Sequence, residues 1–211
     1  MDGSGKTNHS YQIINHLRLN GTKCKYVWFG TAYFLSYPFM IICRMLGLTK
    51  TYHLANGQTT SEHQYYRNKL VSSIWPWVQL FDLLLLVNLR VKLFLLSGNY
   101  VVCDRFIPDI LVELITDLSE DCLYKKKIGQ LAIKMIPKHS LIILLDVSEK
   151  TAWQRKNDIP EMNSLFRRKK AYDLVSNYMK IPAVSAEESV AIVQKQLETM
   201  VDNWQNQYLG N

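Results

Sequence analysis

The sequence predicts an α/β fold in which a parallel sheet carries helices on both faces. Three short apolar runs, rich in β-branched and aromatic residues, are typical of buried strands at residues 24–29, 100–103 and 141–147. Longer helical runs separate them, and strands that alternate with helices favour a parallel sheet. The chain has 211 residues, which is enough for a single domain spanning residues 1–211 around one core.

The helices follow from their start and stop signals. Glycine ends the first two, which we predict at residues 7–20 and 36–46. A long helical region covers residues 61–97, where Pro76 either begins a helix or makes a kink. The remaining expected elements are a helix at 109–118, a helix ending at 136, helices at 149–156 and 165–179, a weaker strand at 180–184 and a helix at 187–208.

Composition and charge restrict the class of protein. The formal net charge of +7 suits anionic partners such as nucleotides, although solvated lysines explain it equally well. The four cysteines form no CxxC pair and have no metal-ligand spacing, which indicates a reduced, cytoplasmic compartment. Charged and polar residues interrupt the apolar stretch at 81–96, so we interpret it as a core helix and expect no membrane partner.

A phosphate-binding pattern lies at residues 2–7, which read DGSGKT. This is the second half of G-x-x-x-x-G-K-[ST], in which Gly3 and Gly5 let backbone N–H groups face phosphate oxygens. Lys6 would neutralise the β- and γ-phosphates, and the Thr7 hydroxyl would hold Mg²⁺. The helix that starts here directs its positive end at the same anion.

The first glycine of that pattern, and the strand that normally precedes it, would lie ahead of Met1. A central strand buries several side chains, each worth about 1.5–3 kcal/mol. Total stability is only about 5–15 kcal/mol. We therefore expect either a marginally stable chain or a true start further upstream, with a degenerate protein as the alternative.

Two further blocks accompany the phosphate loop. Residues 100–106 read YVVCDRF after Gly98, and residues 144–148 read LLDVS ahead of Arg155, with a basic run at 167–172. Their order and spacing resemble those of the thymidylate kinase family, from residue 1 to about residue 205. The resemblance implies a P-loop NTPase-type parallel sheet with helices on both faces and a small lid at about residues 155–170.

The resemblance also implies an activity, the transfer of the ATP γ-phosphoryl group to a nucleoside monophosphate, with a dTMP-like acceptor. The residues implied as catalytic are Lys6, Asp104, Arg105 and Arg155. Those implied to bind ATP are Gly3, Ser4, Gly5, Lys6, Thr7, Arg155 and either Arg167 or Arg168. Those implied to bind the acceptor are Asp2, Arg105, Phe106, Asp109 and Glu113, and the Mg²⁺ ligands are Thr7 and Asp104.

Each of these roles has a structural alternative. Asp104 and Arg105 would also make an ion pair at the end of a strand, and the basic run at 167–170 would also be a solvated helix face. Asp109 follows Pro108 and would equally cap a helix. Asp146 is better explained as a turn or cap residue than as a catalytic one. The aromatic residues available for base stacking are Phe81, Trp75, Trp77 and Phe106, and the alternative for them is the core.

The sequence departs from the family pattern at the acceptor site. The loop at residues 29–32 carries no arginine, and Leu83 occupies the place of a second one; Arg44, Arg67 and Arg90 are candidate replacements. Asp109 and Glu113 stand where the family often has Ser and Gln. An ionised carboxylate accepts hydrogen bonds and cannot donate them. We therefore hypothesise from Glu113 that the preferred base need not be thymine.

Other functions stay open at this point. One is a deoxynucleoside kinase, although no carboxylate base is evident at residues 29–32. Another is a non-catalytic nucleotide-binding protein, which the missing strand and arginines favour. We expect no nucleic-acid partner, because the basic residues are scattered and no recognised motif is present. A homodimer through the apolar helix at 81–96 is an alternative to burial of that helix in the core.

Overall fold

The computed structural model describes residues 3–30, 34–53, 57, 59–155 and 162–209, with the side chain of Leu209 excluded. The helices are α1 (Lys6–Leu19), α2 (Ser36–Met45), α3 (Lys69–Leu86), α4 (Leu93–Leu96), α5 (Ile107–Leu118), α6 (Lys127–Lys134), α7 (Glu149–Arg155), α8 (Met162–Met179) and α9 (Val190–Leu209). The strands are β1 (Cys24–Trp28), β2 (Thr49–His53), β3 (Thr59–His63), β4 (Tyr100–Asp104), β5 (Leu144–Asp146) and β6 (Ala183–Ser185). The predicted α/β class is confirmed.

Two of the strand pairs are parallel, but within the described residues the strands form three separate two-stranded sheets and not the single parallel sheet that the sequence predicts. β1 lies beside β4, with Cys24 opposite Tyr100 and Trp28 opposite Asp104. β5 pairs with β6 in the same sense. The carboxyl ends of β1 and β4 therefore meet at one edge, which is where ligands of α/β proteins usually bind.

The third strand pair is antiparallel, and the sequence interpretation missed it. β2 and β3 form a hairpin in which Thr49 faces His63 and His53 faces Thr59. The helix expected from residue 61 is therefore wrong over its first residues. The threonine-rich sequences TKTYH and TTSEH prefer a strand because β-branched residues pack well on a pleated surface.

The long helix begins at Lys69 because Asn68 caps it. The Asn68 side-chain oxygen accepts hydrogen bonds from the backbone N–H groups of Leu70 at 3.0 Å and Val71 at 3.2 Å. Pro76 lies inside α3 rather than at a helix start. A π-helical segment, Val87–Lys92, joins α3 to α4, so the helical region still ends before Gly98 as predicted.

The core lies where α5 packs against α8 and α6. α5 is buried on more than one face. Its buried apolar side chains include Ile107, Leu111, Val112 and Ile115. α1 packs on β1 and β4 and also contacts α9. This packing fixes the start of α1 against the carboxyl end of β4.

The apolar stretch at residues 81–96 is only partly a core helix. Val87 and Val91 are buried, whereas Phe81, Leu89, Leu93 and other apolar residues are exposed. Asp82 is fully buried and accepts hydrogen bonds from two backbone N–H groups at the start of α2. In the described ranges one helical stretch, Lys69–Leu96, has the length and composition of a membrane span, a criterion that core helices of soluble proteins also meet.

Candidate functional site

The phosphate-binding pattern lies at the start of α1. Gly3 and Gly5 have φ angles of 78° and 81°, a left-handed conformation that suits glycine. A Cβ atom on Gly3 would lie 3.3 Å from the backbone of Ala152, so that position also lacks room for a side chain. Ser4 is buried beneath the loop, and Asp2 lies outside the described residues.

Asp104 connects this loop to the end of β4. The Thr7 hydroxyl donates a hydrogen bond of 2.6 Å to Asp104 Oδ2, across 97 positions of sequence. The Tyr26 hydroxyl donates a second bond of 2.9 Å to the same oxygen. The Asp104 residue is only 2% exposed. The alternative of an ion pair between Asp104 and Arg105 at the end of the strand stays a prediction.

The second carboxylate oxygen of Asp104 has the properties of a cation ligand. Asp104 Oδ1 is buried and has no hydrogen-bond partner within the described part of the molecule. A buried carboxylate oxygen without a partner is costly and calls for an explanation. Mg²⁺ binds through one or two carboxylates together with substrate phosphates and water. The pair of Thr7 and Asp104 therefore fits the Mg²⁺ site that the resemblance implies.

This Mg²⁺ site would depend on oxygens that the substrate supplies. Among the described residues, no group of three or more His, Cys, Asp or Glu side chains is placed to hold a metal ion. Burial, followed by the hydrogen bond to Asp104, raises the pKa of Tyr26 above its usual value. Tyr26 therefore stays a hydrogen-bond donor and cannot supply a phenolate ligand.

Asp109 lies beside Lys6 and is shared among several partners. Lys6 Nζ is 3.7 Å from Asp109 Oδ1. Asp109 accepts a 2.7 Å bond from the Tyr172 hydroxyl and a 3.1 Å bond from the Phe106 backbone N–H. The bond to Phe106 stabilises the start of α5, but Asp109 does so as the third helical residue and not as the N-cap residue, because α5 begins at Ile107. Asp109 still faces the same space as Lys6.

Arg105 occupies a rare backbone conformation at the end of β4. Its φ angle is 60°, and side chains other than glycine seldom adopt this region unless the surrounding structure imposes it. Arg105 Nη1 lies 3.6 Å from Glu113 Oε1, so two of the residues implied to bind the acceptor face each other. Phe106 packs edge-on against Phe29, with ring centroids 5.0 Å apart.

The residues expected in the lid contact other elements. Arg155 Nη1 donates a 2.8 Å hydrogen bond to the Ala186 carbonyl oxygen. Arg167 forms an ion pair with Glu62 of β3. Residues 156–161, the middle of the expected lid, lie outside the described ranges. Arg155 nevertheless adjoins the phosphate loop, since a Cβ atom on Gly3 would lie 3.7 Å from Arg155 Cβ.

The rest of the basic run forms ion pairs as well. Lys169 Nζ lies 2.8 Å from Asp146 and 2.7 Å from Asp173. Lys170 pairs with Asp121. Asp146 and Asp121 lie outside α8, whereas Asp173 lies on α8 itself, so the run combines exposed cations with ion pairs to neighbouring segments. Asp146, at the end of β5, forms an ion pair with Lys169 of α8.

The three arginines that could replace those missing from the acceptor site contact other parts of the molecule or lie on its surface. Arg44 Nη2 donates to hydroxyls of the β2–β3 hairpin, Thr51 at 3.4 Å and Ser61 at 3.2 Å. Arg67 donates a 3.5 Å bond to a neighbouring glutamine side chain, and Arg90 is exposed on the π-helical segment. Leu83 is buried in the core.

The four aromatic residues considered for base stacking differ in burial and position. Trp75 is buried and packs against Phe39 and Tyr65, with ring centroids 5.6 Å and 4.9 Å away. It is therefore a core residue, as its structural alternative proposed. Trp77 and Phe81 are exposed on α3. Of the four, Phe106 is the one that adjoins Arg105.

Sequence reasoning missed Tyr26 and Tyr172, which contact Asp104 and Asp109. It also missed a polar cluster around His63. The hydroxyls of Thr49 and Tyr65 each lie 3.1 Å from His63 Nδ1. Burial, and secondarily the charges of Arg44 and Arg168, lower the pKa of His63 to about 4. Nearby Asp117 is also desolvated, and burial raises its pKa.

The pKa of His63 predicts a pH dependence of stability. Since the folded-state pKa lies below the usual value of about 6.5, folding disfavours the protonated ring. The ring is neutral in both states above about pH 6.5, so the protein keeps its full stability there. It loses stability as the pH falls from 6.5 toward 4, because the unfolded chain then binds the proton more readily. We expect the native protein to lose about 2–3 kcal/mol more unfolding free energy than His63→Gln between pH 7.5 and 4.5.

Urea unfolding of both proteins at the two pH values measures this difference. The difference between the two proteins removes the pH-dependent contributions to unfolding free energy that both share, including those of Asp117 and Glu62. Equal losses of stability in the two proteins would contradict the assignment of His63 as a buried neutral ring.

Neither the protein-family models nor the curated proteins compared with this sequence give a match. A functional assignment therefore depends on the geometry of Lys6, Thr7, Asp104 and Arg105 together with the motif resemblance.

Proposed function

We propose that this protein is a nucleoside monophosphate kinase with a P-loop NTPase-type fold and a dTMP-like acceptor. One observation carries the proposal: the hydrogen bond that joins Thr7, at the start of α1, to Asp104, at the end of β4. It brings the GKT sequence and the Asp-Arg sequence to one edge of the parallel strands. Phosphoryl transfer needs positive charge and precise positioning more than covalent chemistry from the protein.

The positive groups at this edge would bind the ATP phosphates. The start of α1 has no side-chain cap, and the first N–H groups of a helix attract anions. Lys6 would exchange its 3.7 Å contact with Asp109 for the β- and γ-phosphates. Because Lys6 and Asp109 are 3.7 Å apart, breaking this ion pair costs little interaction energy.

Thr7 and Asp104 would hold Mg²⁺, which neutralises developing charge on the phosphate oxygens. Tyr26 holds Asp104 Oδ2 in place while Oδ1 faces no protein donor in the described ranges. Asp104 thus has one oxygen for protein contacts and one for a cation.

Arg105 and Phe106 would receive the acceptor. The Arg105 guanidinium lies 3.6 Å from the Glu113 carboxylate, at a residue whose backbone is left-handed. A monophosphate would compete with Glu113 for that guanidinium, and planar bidentate contact with phosphate favours the exchange. The Glu113 carboxylate would then accept hydrogen bonds from N–H groups on a base. This supports a base preference that is not restricted to thymine.

The test is a rate measurement with Mg-ATP and a panel of acceptors: dTMP, dUMP, dCMP and dGMP. We expect ADP and a nucleoside diphosphate to form in equal amounts, and ATP hydrolysis without acceptor to be far slower. Lys6→Ala should slow this transfer, and its matched control is Lys195→Ala, which removes an exposed lysine of α9 instead. A strong, exclusive preference for dTMP would contradict the role given to Glu113. A folded protein that binds Mg-ATP and transfers nothing would instead support the non-catalytic alternative.

We also propose that α3 mediates a homodimer. Leu70, Ile74, Trp77, Phe81 and Leu84 recur at helical spacing and are all exposed. Contiguous exposed apolar surface of this kind usually marks an interface. A second copy would cover it by packing α3 on its counterpart, since dimers commonly use the same patch twice.

The dimer predicts that Phe81→Glu shifts the protein to a single-chain mass in sedimentation velocity. A buried, unpaired charge at the centre of an apolar interface is strongly unfavourable. Asn203→Glu on α9 adds the same charge at an exposed position and should leave the mass unchanged. A native protein with the mass of one chain at every concentration tested would rule this dimer out.

A further inference from the structure

The net charge of the protein is concentrated in the first half of the chain. Residues 1–103 contain ten Lys and Arg residues and three acidic ones, and so carry the whole formal charge of +7. The charges of residues 104–211 cancel. Between Gly3 and Ser61 the sequence has no acidic residue at all. The excess positive charge therefore belongs to the elements from α1 to β4.

The few acidic side chains of this half are paired or buried. Glu62 forms an ion pair with Arg167 of α8. Asp82 is fully buried and accepts hydrogen bonds from the start of α2, and Asp2 lies outside the described residues. The Lys and Arg residues of the same half are all exposed except Lys6. The described surface of this half is therefore cationic, with little compensating negative charge.

α2 adds a large apolar area to this cationic half. One side of the helix packs on α3, where Cys43 is buried and Phe39 stacks on Trp75. The remaining apolar side chains are exposed, and Met45 is 82% exposed. Contiguous exposed apolar side chains usually mark a site of interaction. We call this set the α2 surface; it comprises Leu35, Tyr37, Ile41, Ile42, Met45 and Leu46.

Cations adjoin the α2 surface. Arg44 lies on α2 itself and donates hydrogen bonds to hydroxyls of the β2–β3 hairpin. Lys50 is exposed on β2, a strand that contacts α2. Glu62, which faces Lys50 across the hairpin, is already paired with Arg167. An exposed apolar helix bordered by cations has the composition of a segment that lies on an anionic membrane surface.

We propose that the α2 surface docks on an anionic lipid surface, with Arg44 and Lys50 facing the lipid headgroups. The apolar side chains of α2 would enter the boundary between headgroups and acyl chains, as those of interfacial helices do. Anionic lipid supplies an apolar layer and negative charge together. A second copy of this chain would instead bring two cationic surfaces into contact, which is unfavourable.

This arrangement differs from a membrane span. α2 has ten residues, whereas a span needs about 20, so the helix would lie in the plane of the surface. The expectation of no membrane partner considered the apolar stretch at residues 81–96, which is a different segment. Lipid binding through α2 also does not depend on phosphoryl transfer, because Lys6, Thr7 and Asp104 lie on α1 and β4.

Cosedimentation of the full chain with vesicles measures this binding. One set of vesicles contains phosphatidylserine and phosphatidylcholine in equal parts, and the other contains phosphatidylcholine alone. We expect binding to the mixed vesicles to be at least about tenfold tighter, because each cation near the surface adds to the attraction. High salt should remove most of that difference, since it screens exposed charges.

Ile42→Glu tests the apolar contact, and Ile192→Glu is its matched control. The two isoleucines are 54% and 48% exposed, on α2 and α9 respectively, so both variants should fold. We expect Ile42→Glu to weaken binding to the mixed vesicles at least about tenfold, because a carboxylate would enter the apolar layer beneath anionic headgroups. Ile192→Glu adds the same charge away from α2 and should stay close to native binding.

Lys50→Glu tests the electrostatic contact in the same assay. It should weaken binding to the mixed vesicles, whereas Lys195→Glu on α9 should have little effect. Absence of native binding to the mixed vesicles, or equal binding to both kinds of vesicle, would overturn the proposal. So would equal effects of Ile42→Glu and Ile192→Glu. Sedimentation velocity without lipid gives a further check: a lower mass for Ile42→Glu than for the native protein would assign the α2 surface to a second copy instead.

Discussion

Asp104→Asn is expected to lower the rate of phosphoryl transfer from Mg-ATP by at least about 100-fold, the usual range for loss of one preorganised electrostatic contact. The substitution keeps the shape of the side chain and removes its charge. Asp104 Oδ1 is the buried oxygen that the described structure leaves without a donor, so its charge is available to Mg²⁺. Initial rates measured over a range of Mg²⁺ concentrations should show a higher Mg²⁺ requirement as well.

Tyr26→Phe is the matched control for that variant. It removes the 2.9 Å hydrogen bond to Asp104 Oδ2 and leaves the carboxylate and the Thr7 contact in place. Loss of one hydrogen bond to a charged group costs about 1.5–3 kcal/mol, chiefly in stability and positioning. We therefore expect Tyr26→Phe to stay much closer to native activity. If Asp104→Asn retained native rates at every Mg²⁺ concentration, Asp104 would not be a metal ligand.

Trp75→Ala is expected to lower the free energy of unfolding by about 3–5 kcal/mol, the typical cost of truncating a buried tryptophan. Trp75 is 2% exposed, and its ring packs between Phe39 and Tyr65. Removal of the indole would leave a cavity where α2, α3 and the segment after β3 meet. A loss of this size is a large fraction of the stability of an ordinary domain.

Trp153→Ala provides the comparison, because Trp153 is 38% exposed on α7. Because Trp153 is much more exposed than Trp75, we expect its truncation to cost clearly less stability. Urea unfolding followed by circular dichroism reports both values without depending on tryptophan fluorescence. A loss for Trp75→Ala no greater than that for Trp153→Ala would contradict the core position of Trp75.

Two of the three apolar strands were predictable to their ends, β5 covers only Leu144–Asp146 of the run predicted at 141–147, and the hairpin was not predicted. β1 and β4 are short apolar runs, and their positions agree with the prediction to within one residue at each end. β2 and β3 are largely exposed, so no alternation of apolar and polar residues marks them. Their stabilisation comes from pairing with each other, which a local pattern does not encode.

Parts of the candidate site were predictable because they belong to local motifs. Lys6, Thr7 and Asp104 each stand at the end of a predicted element, where the chemistry of α/β proteins concentrates. Their partners were not predictable. Tyr26 reaches Asp104 across 78 positions, and Tyr172 reaches Asp109 across 63. Only the folded arrangement of β1 and α8 brings those hydroxyls to the edge.

Asp109 shows why residue type alone left two interpretations. An aspartate near a helix start suits both capping and ligand binding. In the structure one of its oxygens accepts from Phe106 N–H, while the other contacts Tyr172 and Lys6. The same carboxylate thus fixes the helix and faces the site. The apolar helix at 81–96 divides in a similar way, with one face buried and one exposed.

The central claim is that the edge formed by Lys6, Thr7, Asp104 and Arg105 transfers a phosphoryl group. Phosphorus NMR of the protein with Mg-ATP and dTMP, beside Lys6→Ala under the same conditions, measures it most directly. We predict that ADP and dTDP appear together with the native protein, and at least about 100-fold more slowly with Lys6→Ala. Equal rates for the two proteins would contradict the claim, and so would the absence of any nucleoside diphosphate from a folded native protein given dTMP, dUMP, dCMP or dGMP.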